Sequence, residues 1–107
     1  MLFRSDSSGA RATLLVLYCG RLEECRDFYG DLGLSFADEQ HGQGAKHYSA
    51  VLADGMVFEL YPARPDRESG AVRLGFTITG ADVTPPLAPG LHLLTDPDGR
   101  TIEVHAS

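Results

Sequence analysis

Asp54-Gly55-Met56-Val57-Phe58-Glu59-Leu60-Tyr61 and Asp98-Gly99-Arg100-Thr101-Ile102-Glu103-Val104-His105 are two versions of one octet. Each opens with Asp-Gly, a pair that favours a tight hairpin turn. Each continues with apolar-Glu-apolar and ends on a ring with a polar atom. An octet that recurs once, each copy closing half of a chain, predicts two related structural modules. Side chains alternate faces along a strand. Glu59 therefore shares a face with Val57 and Tyr61, opposite Phe58 and Leu60. Glu103 shares one with Thr101 and His105, opposite Ile102 and Val104.

Working outward, residues 13–19 (TLLVLYC) read as a buried strand ended by Gly20. The period changes over 21–29 (RLEECRDFY). Leu22, Cys25, Phe28 and Tyr29 fall at helical spacing, with Glu23 and Glu24 in the first turn and Gly30 and Gly33 as stop signals. Residues 34–40 read as a strand, and 41–45 as a loop over the mouth of a binding cup. Residues 46–53 and 56–61 complete β-α-β-β-β. The proline-broken stretch 62–70 (PARPDRESG) links the halves. The second half has strands at 72–79, 91–95 and 101–105. Pro85, Pro86 and Pro89 forbid a helix of several turns between the first two. The fold class is α+β. A single domain over 1–107 holds a first module at about 13–61 and a shortened second module at 72–105, curled as one mixed sheet around a cup.

The composition narrows the function. The chain has 107 residues, 43% hydrophobic and 22% charged, enough for one core and too few for two. The formal net charge of -6 and the lack of a basic stripe argue against a nucleic-acid partner. An acidic surface weakly favours a cationic ligand. No apolar run approaches the ~20 residues of a membrane span, and residues 1–11 (MLFRSDSSGAR) lack the apolar core of a signal peptide. Cys19 and Cys25 have no metal-knuckle spacing and read as small buried apolar residues. A cytoplasmic location is expected.

The order of these pieces resembles the vicinal oxygen chelate superfamily, the glyoxalase / bleomycin-resistance / dioxygenase proteins. Leu14-X-Val16-Leu17-Tyr18, the short helix ending Asp27-Phe28-Tyr29, and Leu32-Gly33-Leu34 resemble its first strand and helix. Phe58-Glu59-Leu60 resembles its fourth strand. Asp96-Pro97-Asp98-Gly99-Arg100-Thr101-Ile102-Glu103 resembles its closing strand. The resemblance implies two βαβββ modules, the second here without its helix, around a cleft often completed across a homodimer. It also implies metal ligands on the first and last strand of each module. The last-strand positions carry Glu59 and Glu103. The first-strand positions, usually histidine, fall near Leu14 and Arg73, and no histidine lies nearby on either strand.

Two buried carboxylates need a cation. Arg73 is expected in place of the metal, paired with Glu103, Glu59 or both. Leu14, Val16, Tyr18, Glu59, Tyr61, Arg73 and Glu103 are the expected ligand-binding residues, an apolar wall with polar tips. If a divalent metal binds, Glu59, Glu103 and His105 are its expected ligands, with His47 a further substitute. His41 and His92 read as loop or strand-edge residues. Packing alone explains Tyr48 equally well.

No serine, cysteine or lysine sits in a nucleophile motif, so no catalytic residue is assigned. Three functions compete. The first is a metal-free protein that sequesters or carries a small organic ligand in its cup. The second is a metal-dependent lyase, isomerase or dioxygenase using Glu59 and Glu103. The third is a degenerate module acting in protein association. The missing helix would leave Leu74, Phe76, Ile78, Ile102 and Val104 bare, at ~1.5–3 kcal/mol of lost burial each. A cover is expected from residues 80–90, from the arm 1–10 or from a second subunit. A homodimer is the expected assembly.

Overall fold

The computed structural model describes residues 9–107. The first half runs β1 (Leu14–Cys19), α1 (Leu22–Asp31), β2 (Ala37–Glu39), β3 (His47–Val51) and β4 (Val57–Pro62). The second runs β5 (Leu74–Ile78), a 3-10 turn at Gly80–Asp82, β6 (Gly90–Thr95) and β7 (Thr101–Ala106). Two mixed sheets result, ordered β1-β4-β3-β2 and β5-β7-β6.

The repeated octet is a repeat of position. Both β4 and β7 sit inside their sheets, with a parallel partner on one side and an antiparallel partner on the other. The register places Val16 beside Glu59 and Tyr18 beside Tyr61. In the second sheet Gly75 lies beside Glu103, and Leu93 faces it from the other side. The period-two reading holds on both strands. Phe58, Leu60, Ile102 and Val104 are buried, while Glu59 and Glu103 keep part of their surface in water.

The second sheet's apolar face is covered within the chain. Ile102 and Val104 are fully buried in one cluster with Leu17, Cys19, Cys25, Tyr29, Phe58 and Leu60. The cause is that α1 serves both sheets. Tyr29 packs its ring edge-on to Phe58, 5.3 Å between centroids, and lies 6.0 Å from Phe76. Phe58 and Phe76 meet directly at 5.8 Å. Leu74, Phe76 and Ile78 remain half-buried against the same cluster.

Residues 80–90 supply the rest of the cover. Val83 is buried and Leu87 packs on the core. The segment is pinned where Gly80 N–H donates to Ser107 O at 3.0 Å and Leu87 N–H donates to Gly80 O at 3.0 Å. The arm proposed as an alternative cover lies outside the described residues except for Gly9 and Ala10.

One correction concerns a strand. β2 is only Ala37–Glu39, not 34–40, because Leu34 N–H bonds back to Tyr29 O and Leu34 and Phe36 turn into the core. The curled two-module α+β fold is built from a four-stranded and a three-stranded sheet. No described helix is long and apolar enough to cross a membrane.

Candidate ligand-binding site

On each sheet, the face turned away from the shared core stays open. On the first it carries Leu14, Val16 and Tyr18 from β1, Glu59 and Tyr61 from β4, and His47 from β3. These strands are neighbours, so six side chains are brought together by the register alone. Tyr18 and Tyr61 meet at 5.8 Å between ring centroids. Tyr61 stacks on His47 at 4.1 Å, with 8° between the planes. His47 is buried beneath it. Its Nε2 lies 3.2 Å from Glu39 Oε1, 3.8 Å from Glu59 Oε2 and 3.3 Å from the Tyr61 hydroxyl. Burial and the nearby Glu59 charge raise the Tyr61 phenol above its ordinary value, which keeps it a hydrogen-bond donor at neutral pH.

The second sheet's open face carries Glu103 and His105 from β7 and Leu91 and Leu93 from the neighbouring β6. Arg73 Nη2 lies 2.5 Å from Glu103 Oε2, and His105 Nε2 lies 3.9 Å from Glu103 Oε1. Arg73 is mostly exposed, so this pair sits at the surface rather than inside a closed cavity. The two carboxylates therefore occupy different sheets, each with its own partners. Among the described residues no ion pair joins Glu59 to Glu103. Leu14, Leu91 and Leu93 are each more than half exposed, as is Val51 beside them on β3.

The metal centre that the family resemblance implies does not fit this chain. Leu14 offers no donor atom, and Arg73 presents a cation already paired with Glu103. Glu59 lies with His47, not with Glu103 and His105. A different group does assemble. Glu39, His41 and His47 bring one ligand atom each within 4.8 Å of one another. Cys19, Cys25 and Asp98 form a second such group. His41, read from sequence as a plain loop residue, belongs to the first. The signal available was its two-residue spacing from Glu39, which only the β2–β3 pairing turns into proximity to His47.

A cavity of about 540 Å³ lies on the opposite face of the sheets. Leu15, Leu32, Leu34, Phe58, Leu74 and Phe76 are among its walls. None of the sequence-predicted ligand residues lines it. It occupies space beside β5 that the single helix does not reach.

The closing motif Asp96–Arg100 turns out to join the halves. Asp96 Oδ2 accepts from the Tyr29 hydroxyl at 2.6 Å and from Arg100 Nη1 at 2.8 Å, while Oδ1 accepts from Arg100 N–H at 2.9 Å. Burial alone would raise the Asp96 carboxyl, but these bonds outweigh it and hold it below the usual range. The same setting pushes the Tyr29 phenol up, through burial first and the Asp96 bond second. Arg100 Nη2 reaches Tyr18 O at 2.9 Å. Asp98 accepts from Gly20 N–H at 2.9 Å and Arg21 N–H at 3.0 Å, capping α1 from the other module.

No protein-family model matches the sequence, and no curated protein does. Solved structures do match. A glyoxalase/dioxygenase from Nostoc punctiforme is 19% identical, with 99% of each chain covered and a TM-score of 0.63. An antibiotic binding protein, TnmS3, from Streptomyces sp. CB03234 is 18% identical, covering 94% of this chain and 98% of its own, also at 0.63. A possible glyoxalase from Bacillus cereus is 16% identical, covering 90% of this chain and 98% of its own, at 0.60. Two modules closed by the same octet, one capping the other's helix through its Asp-Pro-Asp-Gly turn, give this chain the fold of these glyoxalase-type and antibiotic binding structures.

Proposed function

We propose that this protein binds a small organic molecule on the open faces of its sheets and sequesters or carries it without a metal of the family type. The observation that carries this reading is the row of Tyr18, Tyr61 and His47 rings, the last two stacked, beside Glu59. It is an aromatic floor with polar tips, which suits an organic ligand. An enzyme of the metal-dependent kind has less support, because Leu14 and Arg73 stand where donor side chains are needed. The antibiotic binding protein of the same fold supports a binding role, while the glyoxalase-type neighbours keep a lyase or dioxygenase reading in play. A homodimer would bring the first sheet of one copy against the second sheet of another, joining Glu59 and Glu103 in one cup.

The cavity of about 540 Å³ favours a second reading, in which the organic ligand sits behind the sheets, among Leu15, Phe58, Leu74 and Phe76. Its volume falls within the range of ligand pockets. A screen of aromatic drug-sized compounds by amide chemical-shift mapping separates the two. Under the first reading, hits shift residues of β1, β3 and β4 on the open face, and Tyr61→Ala weakens them. Under the second, hits shift Leu34, Leu52 and Phe76, and Leu74→Trp abolishes binding by filling the space. A screen with no hit at millimolar compound sinks both.

A further inference from the structure

We infer that Glu39, His41 and His47, with Glu59 adjacent, form a binding site for a divalent transition metal of the zinc type, inside the first sheet and away from the family's metal position. The inference goes beyond the proposed ligand binding and stands or falls separately from it.

The argument starts at His47. Its Nδ1 lies 3.1 Å from Ala45 O, and a carbonyl only accepts, so Nδ1 carries a proton. Its Nε2 then faces Glu39 Oε1 at 3.2 Å and Glu59 Oε2 at 3.8 Å, both acceptors when ionised. A neutral imidazole would turn a lone pair toward two carboxylates. The Tyr61 hydroxyl, 3.3 Å away, offers that lone pair one proton, while the two carboxylates beside it are left to be balanced by a cation, which a metal ion on Nε2 would supply. A backbone carbonyl that fixes the Nδ1 tautomer and leaves Nε2 free is the usual outer support of a metal-bound histidine. The stacked Tyr61 ring and the near-complete burial of His47 hold that nitrogen in place.

The second observation is His41. Its ring lies 5.2 Å from that of His47, and its Nε2 is 3.7 Å from the same Glu39 oxygen. Two imidazoles and a carboxylate therefore converge on one point, with a second carboxylate beside it. Two nitrogens and one or two oxygens suit zinc, and equally cobalt or nickel. Tetrahedral bonds of the zinc type place donors about 3.3 Å apart, so the group must contract from its 4.8 Å spread. The loop after β2 permits this. His41 is exposed, and Gly42 follows it at φ +57°. Metal entry displaces any proton on Nε2, and the carboxylates balance the charge.

The test is calorimetric titration of the metal-stripped protein with zinc, alongside histidine ring-nitrogen NMR. One zinc per chain should bind, shifting Nε2 of both His41 and His47. His41→Ala and Glu39→Gln, both at exposed or half-exposed positions that leave the core intact, should each weaken zinc by at least about tenfold. Glu103→Gln and His105→Ala should leave it unchanged. No zinc uptake would overturn the site. Uptake indifferent to His41 and Glu39, or lost with Glu103 or His105, would overturn it as well.

Discussion

Arg100 and Asp96 are among the most consequential side chains here. Both are almost wholly buried, and they pair with each other while each binds a different piece of the fold. Removing one partner of a buried pair strands the other's charge, which costs about 3–5 kcal/mol. Arg100→Leu should therefore lose about that much in urea denaturation at pH 7. Asp96→Asn should reveal the pH dependence. The folded carboxyl is held below its unfolded value of about 4, so its ionised form contributes stability above that pH and loses it as pH falls. The gap between wild type and Asp96→Asn should be widest at neutral pH and narrow below pH about 4. A gap that does not change with pH would refute the linkage. None of this was legible in sequence. The Asp-Pro-Asp-Gly turn announced itself as a motif, but its partners Tyr29, Tyr18 and Gly20 lie some 67 to 82 residues away. Glu59, Tyr61 and Tyr18 were legible, because period two and strand order place them without any tertiary information.

The element that differs most from its counterpart is the segment between β5 and β6, where a helix is replaced by a 3-10 turn and a proline-rich run. The prolines foretold the loss of the helix. What they did not foretell was the consequence, since sharing of α1 between two sheets depends on packing and leaves no periodic trace. The substitute works by close approach. A Cβ on Gly80 would stand 2.1 Å from Leu87 O, an impossible contact with backbone. Gly80→Ala should cost about 1–3 kcal/mol by overpacking, read as a drop in thermal midpoint. The helix itself depends on the other module, because Arg21 offers no side-chain cap and Asp98 supplies one. Asp98→Ala should cost about 1–2 kcal/mol, and Asp98→Asn less, since an amide oxygen still accepts from the helix start. Equal losses in the two variants would remove capping as the cause.

At the scale of the whole molecule, a single chain hides its core but not its outer sheet faces. Leu14 and Val51 on one sheet and Leu91 and Leu93 on the other are each more than half exposed. Glu59 lies with His47 on the first sheet and Glu103 with Arg73 on the second. The back faces already share a core around α1, so a second copy would meet this one through the open faces. Pairing the first sheet of one chain with the second sheet of its partner twice over would give a closed two-fold dimer, cover the four aliphatic side chains and complete two cups. Light scattering should give twice the mass of one chain at micromolar concentration. Leu91→Lys with Leu93→Lys places like charges in that interface on a sheet face where each side chain is already solvated in the monomer. The double variant should therefore elute as a folded monomer, with an unchanged far-ultraviolet spectrum and weakened binding of any compound that maps to the open face. A wild-type protein that stays monomeric at those concentrations, or a double variant that remains a dimer, would show that the cups are not shared between chains.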